Sequence, residues 1–181
     1  MKSFFRTILE TVEIFLIALA IVIPIRYFLF QPFFVSGASM EPNFQSGEYL
    51  LIDEISYRFR EPARGEVVVF HYPKDPSNFF IKRIIGLPGE TIEIKNGSIK
   101  IYNLNSPQGE VLKESYVEEV TPGNIKISLK KNEFFVLGDN RDHSSDSRSW
   151  GAVSRDYITG RVWLSISPVK GIRFLASPNY Q

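Results

Sequence analysis

Three polar clusters interrupt an otherwise apolar sequence, and the first contains a candidate nucleophile. Residues 36–42 read Ser-Gly-Ala-Ser-Met-Glu-Pro. Small residues beside a serine allow a substrate backbone to approach its hydroxyl closely, as nucleophilic attack requires. Taken alone, the same cluster is more typical of a loop, because serine and glycine are common in turns.

The second cluster places a lysine inside an apolar, β-prone run. Residues 79–85 read Phe-Phe-Ile-Lys-Arg-Ile-Ile. If Lys82 points inward, burial disfavours its ammonium form and lowers its pKa, so that a neutral amine can take a proton from a serine. The alternative interpretation is that Lys82 and Arg83 form the solvated part of an edge strand.

The third cluster is a dense group of hydrogen-bonding side chains. Residues 136–150 read Val-Leu-Gly-Asp-Asn-Arg-Asp-His-Ser-Ser-Asp-Ser-Arg-Ser-Trp. Such a loop after a strand can position a catalytic group, although a polar turn with surface ion pairs would have the same composition. Because the chain also contains His143 and His71, a Ser-His-Asp triad remains open as an alternative.

Composition limits the other functions that this chain can have. The 181 residues carry a net charge of +1, with 44% hydrophobic and 14% aromatic residues, which suits one globular domain and argues against a disordered tail or a nucleic-acid binder. With no cysteine, the chain has no disulfide, thiolate nucleophile or cysteine metal site. Two histidines make a multi-histidine metal site an unfavourable interpretation.

An apolar run near the N-terminus predicts a membrane anchor. Residues 14–34 contain a single charged residue, Arg26, and a helix of about 20 residues is long enough to cross a bilayer core. A buried core helix is disfavoured because no apolar partner helix follows, and a cleavable signal is disfavoured because bulky phenylalanines occupy the expected cleavage region. Lys2 and Arg6 indicate a cytoplasmic N-terminus. We therefore predict an anchor over residues 1–31 and an extracytoplasmic domain over residues 32–181.

The remainder of the chain predicts a mainly β domain, as a coiled antiparallel sheet or barrel-like structure. Residues 91–95 and 98–102 alternate around Asn96-Gly97, which is typical of a hairpin with a type I′ turn. Gly and Pro separate the other runs, and residues 103–121 have the polar composition of a surface excursion. The other predicted strands are residues 66–70, 79–85, 125–129, 133–137 and 161–166.

The three clusters together resemble one family, the bacterial type I signal peptidases, which are membrane-bound serine proteases that remove signal peptides from exported proteins. Residues 36–42 resemble the nucleophile box of that family. Residues 64–70 followed by 81–89 resemble its lysine box, and residues 138–148 resemble its C-terminal box. The resemblance extends over nearly the whole chain, including the predicted anchor.

The resemblance implies a Ser/Lys dyad. Ser39 would be the nucleophile, and Lys82 would be the general base that deprotonates it and later activates the deacylating water. Ser144 matches the serine whose hydroxyl orients the lysine amine. Asp146 and Arg148 match a supporting ion pair.

Other positions in the boxes imply further roles or depart from the pattern. Asp142 is expected to brace the C-terminal loop, and the backbone N–H of Ser39 is expected to stabilise the oxyanion. Gly37 stands where the family often has a second hydroxyl donor. His143 stands where the family usually has asparagine, and we interpret it as peripheral.

Substrate recognition is implied by the same resemblance. A signal peptide would lie extended beside the strands that carry Ser39 and Lys82, with its small side chains in two shallow pockets, which favours cleavage after Ala-X-Ala. Six residues match positions that line these pockets: Phe33, Val35, Met40, Phe44, Phe80 and Ile81.

The implied partners are preprotein signal peptides, the lipid bilayer and the neighbourhood of the secretion translocon, with no nucleic acid, metal or organic cofactor. The implied location is the bacterial cytoplasmic membrane, crossed once. The alternative function is a membrane-tethered β adaptor that binds extended peptides without cleaving them. Substitution of Ser39 separates the two, since an adaptor has no cleavage to lose.

Overall fold

The computed structural model describes residues 2–28, 30–117 and 119–176, and it begins with one long helix, α1 (Lys2–Phe28). Large apolar side chains of α1, such as Leu9, Ile14 and Phe15, are exposed. Within the described ranges, no helix meets the length and hydropathy expected of a membrane span. The membrane anchor over residues 1–31 stays a prediction, and residues 30 and 31 lie in the first strand of the following domain.

Among the described residues after α1, twelve strands form the framework of the domain. In chain order they are β1 (Phe30–Phe34), β2 (Tyr49–Asp53), β3 (Val67–Tyr72), β4 (Asp75–Gly86), β5 (Thr91–Lys95), β6 (Ser98–Tyr102), β7 (Glu110–Val111), β8 (Ile125–Ser128), β9 (Glu133–Leu137), β10 (Val153–Ser154), β11 (Ile158–Ser167) and β12 (Gly171–Phe174). A four-residue helix, α2 (Ser147–Trp150), lies before β10, and two 3-10 turns cover Ser56–Arg58 and Arg155–Tyr157.

The strands form two antiparallel sheets. The larger sheet has the order β1-β2-β11-β3-β4-β9-β10, with β12 paired to β11, and the smaller sheet has the order β7-β6-β5-β8. The prediction of a mainly β, antiparallel domain is confirmed. The path of the larger sheet is open, with β1 and β10 as its outer strands.

Strand β3 explains why residues 67–70 form a continuous apolar run. Both edges of β3 are paired, with β11 and β4, and both of its faces are covered by apolar side chains. Val67 and Val69 pack into one apolar cluster, whereas Val68 and Phe70 pack into a second cluster on the other face. A third cluster joins residues of β4 and β9 to the smaller sheet, so both sheets share one core.

The predicted strands agree with the structure where their pattern is strongest. Strands β5 and β6 have the predicted bounds, and Asn96 and Gly97 have positive φ angles of 52° and 78°, as a type I′ turn requires. Strand β9 also has the predicted bounds, while β3, β4, β8 and β11 differ from prediction at their ends. Strands β1, β2, β7, β10 and β12 were not predicted from the sequence.

The polar excursion over residues 103–121 has more structure than its composition indicates. It contains β7, which extends the smaller sheet, and three of its side chains contact the third polar cluster or its supports. Glu114 and Thr121 bind Arg141, and the ring of Tyr116 packs under the guanidinium of Arg83 at 4.0 Å. The excursion therefore supports the residues around the candidate site.

One outer face of the larger sheet is apolar and exposed across four strands. Its residues are cross-strand neighbours in two adjacent rows, so they form a continuous surface that we call the outer apolar face. The first row is Phe34, Tyr49, Ile166 and Ile172, and the second row is Pro32, Leu51, Leu164 and Phe174. This face begins on β1, directly after α1.

Candidate active site

Ser39 and Lys82 lie in direct contact at the centre of the candidate site. Lys82 Nζ donates a hydrogen bond to Ser39 Oγ at 2.8 Å and another to the carbonyl of Ile81 at 2.8 Å. Ser39 lies in the turn after β1, and Lys82 lies in the middle of β4, opposite Val68 of β3. The structure therefore brings together the two residues that the sequence singled out 43 positions apart.

The Lys82 amine is buried in surroundings that disfavour its charged form. The residue is 3% exposed, and desolvation lowers the pKa of Lys82 from 10.5 to about 8, although the nearby carboxylates of Asp146 and Asp139 act in the opposite direction. An amine with this pKa is substantially neutral at mildly alkaline pH, and a neutral amine accepts the proton of a serine hydroxyl. The solvated edge-strand interpretation of Lys82 was wrong.

Ser39 lies in the segment between β1 and β2, residues 35–48, which we call the nucleophile turn. Buried apolar side chains connect this segment to the core. Met40 and Phe44 are buried in the core cluster that includes Val35 and Leu50. They do not line the cleft, so the structure places them beneath the turn rather than in the predicted pockets. Gly37 has a φ of 97°, a conformation that favours glycine, and this accounts for the absence of a side chain two residues before Ser39.

Asp146 and Arg148 form the supporting ion pair that the sequence predicts. Asp146 is fully buried, and the Arg148 guanidinium donates to both of its carboxylate oxygens at 2.8 Å. Asp146 also accepts from the backbone N–H of Gly138 and from that of Arg148, which caps α2. Arg148 donates further to the carbonyl of Arg141, so this pair closes the loop after β9 on itself.

Ser144 lies against the nucleophile turn with its hydroxyl unpaired. Its Oγ is buried and has no hydrogen-bond partner among the described residues. A methyl group on Gly138 would collide with the side chain of Ser144 and with the backbone carbonyl of Ser39. The loop and the nucleophile turn are therefore in contact here. The described structure has no hydrogen bond between Ser144 and Lys82, so the orienting role of Ser144 stays a prediction.

Asp142 and the two histidines lie at the periphery of the site. Asp142 is exposed and forms no side-chain hydrogen bond or ion pair with described residues, so its bracing role has no support in the structure. His143 lines the cleft from an exposed position. His71 Nδ1 forms a hydrogen bond with the carbonyl of Pro76. Within the described residues, neither histidine forms a hydrogen bond with Ser39 Oγ, whose partner is Lys82. The geometry thus favours the Ser/Lys pair over a histidine triad.

The bracing role predicted for Asp142 falls instead to its neighbours, which the sequence analysis did not assign. Asp139 is buried and binds the guanidinium of Arg83 through both oxygens, at 2.8 and 2.5 Å, and it accepts from Asn43 Nδ2 at 2.9 Å. Arg141 is fully buried against Glu114. The density of charge in residues 138–148 was the signal, but sequence alone did not indicate which charges face inward.

A second buried polar cluster holds the far end of the nucleophile turn. Glu48 is buried and accepts from Ser165 Oγ at 2.5 Å and from Arg173 Nη2 at 3.2 Å. Arg173 also donates to the carbonyl of Asn43, and Lys170 donates to the carbonyl of Pro42. The hairpin of β11 and β12 is in this way attached to the segment that follows Ser39.

A cleft of about 370 Å³ opens in front of the Ser39–Lys82 pair. Four of the predicted pocket residues line it, namely Phe33, Val35, Phe80 and Ile81. Further lining residues that the sequence analysis did not assign are Phe34, Leu50, Val69 and Phe79. The apolar part of the lining comes mainly from β1 and β4, and serine, lysine and histidine side chains supply its polar part. The arrangement suits a serine hydrolase that binds an extended chain with small apolar side chains.

Comparisons with known proteins show which family this chain resembles. A family model described as signal peptidase, peptidase S26, matches residues 8–166. The chain is 37% identical over 179 residues to probable signal peptidase I-2 of Synechocystis sp., covering 94% of this chain and 78% of that protein. It is 33% identical to signal peptidase I of Leptolyngbya laminosa, covering 94% and 85%, and 30% identical to signal peptidase IB of Staphylococcus aureus, covering 96% of each.

Proposed function

This chain belongs to the signal peptidase family, and from that membership we propose that it removes signal peptides from exported preproteins by a Ser/Lys mechanism. The observation that carries the mechanism is the 2.8 Å contact between Lys82 Nζ and Ser39 Oγ in a buried setting. Burial lowers the pKa of Lys82, and at this distance its neutral Nζ can accept the proton of the Ser39 hydroxyl.

The proposed reaction has two steps. Neutral Lys82 takes the proton of Ser39 as Oγ attacks the scissile carbonyl carbon, and the carbonyl oxygen becomes an oxyanion that accepts a hydrogen bond from the backbone N–H of Ser39. The C–N bond then breaks, the ammonium of Lys82 protonates the departing amine, and an ester to Ser39 remains. Lys82 next takes a proton from water as the water oxygen attacks the ester carbon. The bond between that carbon and Ser39 Oγ then breaks, the Lys82 ammonium returns its proton to Oγ, and the signal peptide leaves with a new carboxyl terminus.

We propose that the substrate lies extended between β1 and β4. Both strands line the cleft, and alternate side chains of an extended chain would point toward the same wall. The large side chains of Phe33, Phe79 and Ile81 line this cleft, and we propose that they exclude substrate side chains larger than alanine, which favours cleavage after Ala-X-Ala.

We further propose that α1 anchors the enzyme in the cytoplasmic membrane with the catalytic domain outside the cytoplasm. Helix α1 is 27 residues long, which corresponds to about 40 Å, and its exposed apolar side chains suit lipid. The outer apolar face continues from its end onto the larger sheet, which would bring the cleft to the membrane surface where a signal peptide and the secretion translocon meet it.

Cleavage of a preprotein by the detergent-solubilised full chain tests this function. We expect cleavage after an Ala-X-Ala site in the wild type, and a loss of at least about a thousand-fold in Ser39→Ala and in Lys82→Met, because nucleophile and base act as a unit. Ser98→Ala and Lys100→Met serve as matched controls on exposed positions of β6 and should retain full activity.

The outcomes separate the candidate functions. Peptide binding without cleavage in the wild type would favour the adaptor, and substantial cleavage by Lys82→Met together with loss in His143→Ala would replace the dyad with a triad.

A further inference from the structure

Asn140 makes two contacts with the nucleophile turn from the loop after β9. Its side-chain Nδ2 donates to the carbonyl of Ala38 at 3.1 Å, and its backbone N–H donates to the carbonyl of Ser39 at 3.1 Å. The carbonyl of Ala38 also accepts from the backbone N–H of Glu41 at 3.1 Å. Two consecutive carbonyls around the nucleophile are thus fixed, the first of them from two sides.

The orientation of the Asn140 amide group is determined by its backbone partners. Its Oδ1 accepts from the N–H of His143 at 3.2 Å, and a backbone N–H can only donate. The carbonyl of Ala38 can only accept, so Nδ2 must face it. Asn140 therefore connects the turn of its own loop to the nucleophile turn with each amide atom in its required role.

The Ala38 carbonyl belongs to the same peptide unit as the N–H of Ser39. This peptide bond is trans, since the cis bond of the described chain is Glu41–Pro42, and in a trans unit the carbonyl and the N–H point in opposite directions. Fixing the carbonyl of Ala38 against Asn140 and Glu41 therefore directs the N–H of Ser39 away from them. Among the described residues, that N–H donates no hydrogen bond.

The backbone N–H of Ser39 is thus unpaired beside the nucleophile, and its peptide unit is fixed through the carbonyl of Ala38. An oxyanion donor requires both features. Hydrogen bonding to the carbonyl also polarises the peptide unit and strengthens its N–H as a donor. Gly37 has no side chain, so it offers no hydroxyl that would share this role.

We propose that Asn140 is a positioning residue for the oxyanion donor of Ser39, holding the Ala38–Ser39 peptide so that its N–H faces the developing charge. The proposal rests on the proposed function, because it assumes that Ser39 is the nucleophile. Asn140 acts through the peptide and contacts neither Ser39 Oγ nor Lys82, so its effect belongs to the transition state and not to proton transfer.

The test measures cleavage of the same preprotein by the full chain in detergent, with Asn140→Ala and with Asn140→Leu, which keeps the volume of the side chain. Removing a complete oxyanion donor typically lowers kcat by about 10²–10³, so misaligning one should lower kcat about tenfold with KM within about twofold. Asn132→Ala is the matched control, since its exposed amide contacts Ser154 far from the cleft.

Two further readouts distinguish positioning from a general structural role. A peptide boronic acid forms a tetrahedral adduct with a nucleophilic serine, and its affinity should weaken by the same factor as kcat, whereas the affinity of an uncleavable substrate peptide should not change. The pH midpoint of kcat/KM should also remain that of the wild type, because the environment of Lys82 is intact. Thermal unfolding confirms that each variant is folded.

Wild-type kcat and boronic-acid affinity in both folded variants would overturn the proposal. So would a loss confined to KM, a loss with a displaced pH midpoint, or a loss that follows the unfolded fraction of each variant. Ser39→Ala in the same assay keeps the two proposals apart. If that variant still cleaves, the proposed function fails, and if it is inactive while the Asn140 variants equal the wild type, only the present inference fails.

Discussion

At the scale of single residues, the site depends on the amine of Lys82, whose buried surroundings disfavour its protonated form. Burial lowers the pKa of Lys82 to about 8, while Asp146 and Asp139 partly oppose this. Because the folded pKa lies below the unfolded value of 10.5, the unfolded chain binds more protons than the native one between about pH 8 and 10.5. The cost of burying the ammonium is therefore complete below pH 8 and is lost as the pH rises through that window.

The same environment predicts the pH dependence of the activity. We expect kcat/KM for preprotein cleavage to rise with pH, with a midpoint near 8, as Lys82 loses its proton. In Asp146→Asn, a nearby negative charge is removed, so the ammonium is less stabilised and the midpoint should move to lower pH.

The pH profiles of kcat/KM for the wild type and Asp146→Asn measure this displacement. The midpoint is read separately from the overall loss of rate that we expect because Arg148 loses its carboxylate partner. Asp156→Asn, at an exposed position away from the cleft, is the control and should keep the wild-type midpoint. An unchanged or more alkaline midpoint in Asp146→Asn would contradict the electrostatic coupling of Asp146 to Lys82.

At the scale of secondary-structure elements, the nucleophile turn is held by segments that are remote in sequence. The β11–β12 hairpin reaches it through Lys170 and Arg173, and the loop after β9 reaches it through Asn140. A turn of small residues has little packing of its own, so these polar contacts and the buried Met40 and Phe44 fix its conformation.

Substitution of Arg173 should loosen this turn. In Arg173→Met, the buried carboxylate of Glu48 loses its cation and the carbonyl of Asn43 loses its donor. Since Arg173 is itself partly exposed, we expect a destabilisation of about 2 kcal/mol, below the cost of breaking a fully buried pair. Backbone amides of residues 40–48 should exchange hydrogen faster, which mass spectrometry can measure.

Arg155→Met provides the comparison for this prediction, because Arg155 pairs with the exposed Glu61 outside the turn. Equal exchange rates in residues 40–48 for Arg173→Met and the wild type would show that the hairpin does not hold the turn.

Local sequence pattern determined how much of this structure was predictable. The β5–β6 hairpin and β9 were correct to the residue, because alternation and turn chemistry act over short distances. Strands β2 and β12 were missed because their stability comes from pairing with β11, which for β2 is more than a hundred residues away.

The candidate site was predictable to a similar depth. The roles of Ser39, Lys82, Asp146 and Arg148 followed from the resemblance of the three clusters to a known family, and the structure brings the serine to the lysine and the acid to the arginine. The positions of Met40 and Phe44 could not be deduced, since an apolar side chain beside a nucleophile suits either a pocket wall or the core beneath it. The roles of Asp139 and Asn140 depend on backbone partners that only the fold specifies.

At the scale of the whole molecule, two exposed apolar surfaces are joined by the chain. Helix α1 is followed directly by β1, the first strand of the outer apolar face. Isolated apolar side chains on a surface are ordinary, but two adjacent rows across four strands form a continuous patch of the kind that meets a membrane or another protein. Trp163 packs against Phe174 at the margin of this face, with ring centroids 5.3 Å apart.

Trp163 can report whether this face enters lipid. In Trp150→Phe, Trp163 is the single remaining tryptophan. If the proposed contact of this face with the membrane interface is correct, vesicles with brominated acyl chains should quench its fluorescence. Adding Ile172→Ser and Phe174→Ser should reduce the quenching. Leu104→Ser, which removes an exposed leucine elsewhere, should leave it unchanged. If Trp163 is not quenched, or is quenched equally with and without the Ile172→Ser and Phe174→Ser substitutions, the outer apolar face does not contact the bilayer.

Strand β4 carries two neighbouring cations on opposite faces, and their order has a consequence for how this enzyme can evolve. Lys82 reaches Ser39, whereas Arg83 reaches Asp139 on the other side. A single-residue deletion upstream in the strand would move Arg83 to the place of Lys82, so that a guanidinium that never deprotonates would lie beside the hydroxyl. A single-residue insertion would instead put Ile81 beside the hydroxyl and leave the site without a base. Length variation is therefore tolerable in the loops that flank β4, but within the strand it would silence the enzyme even if the domain still folded.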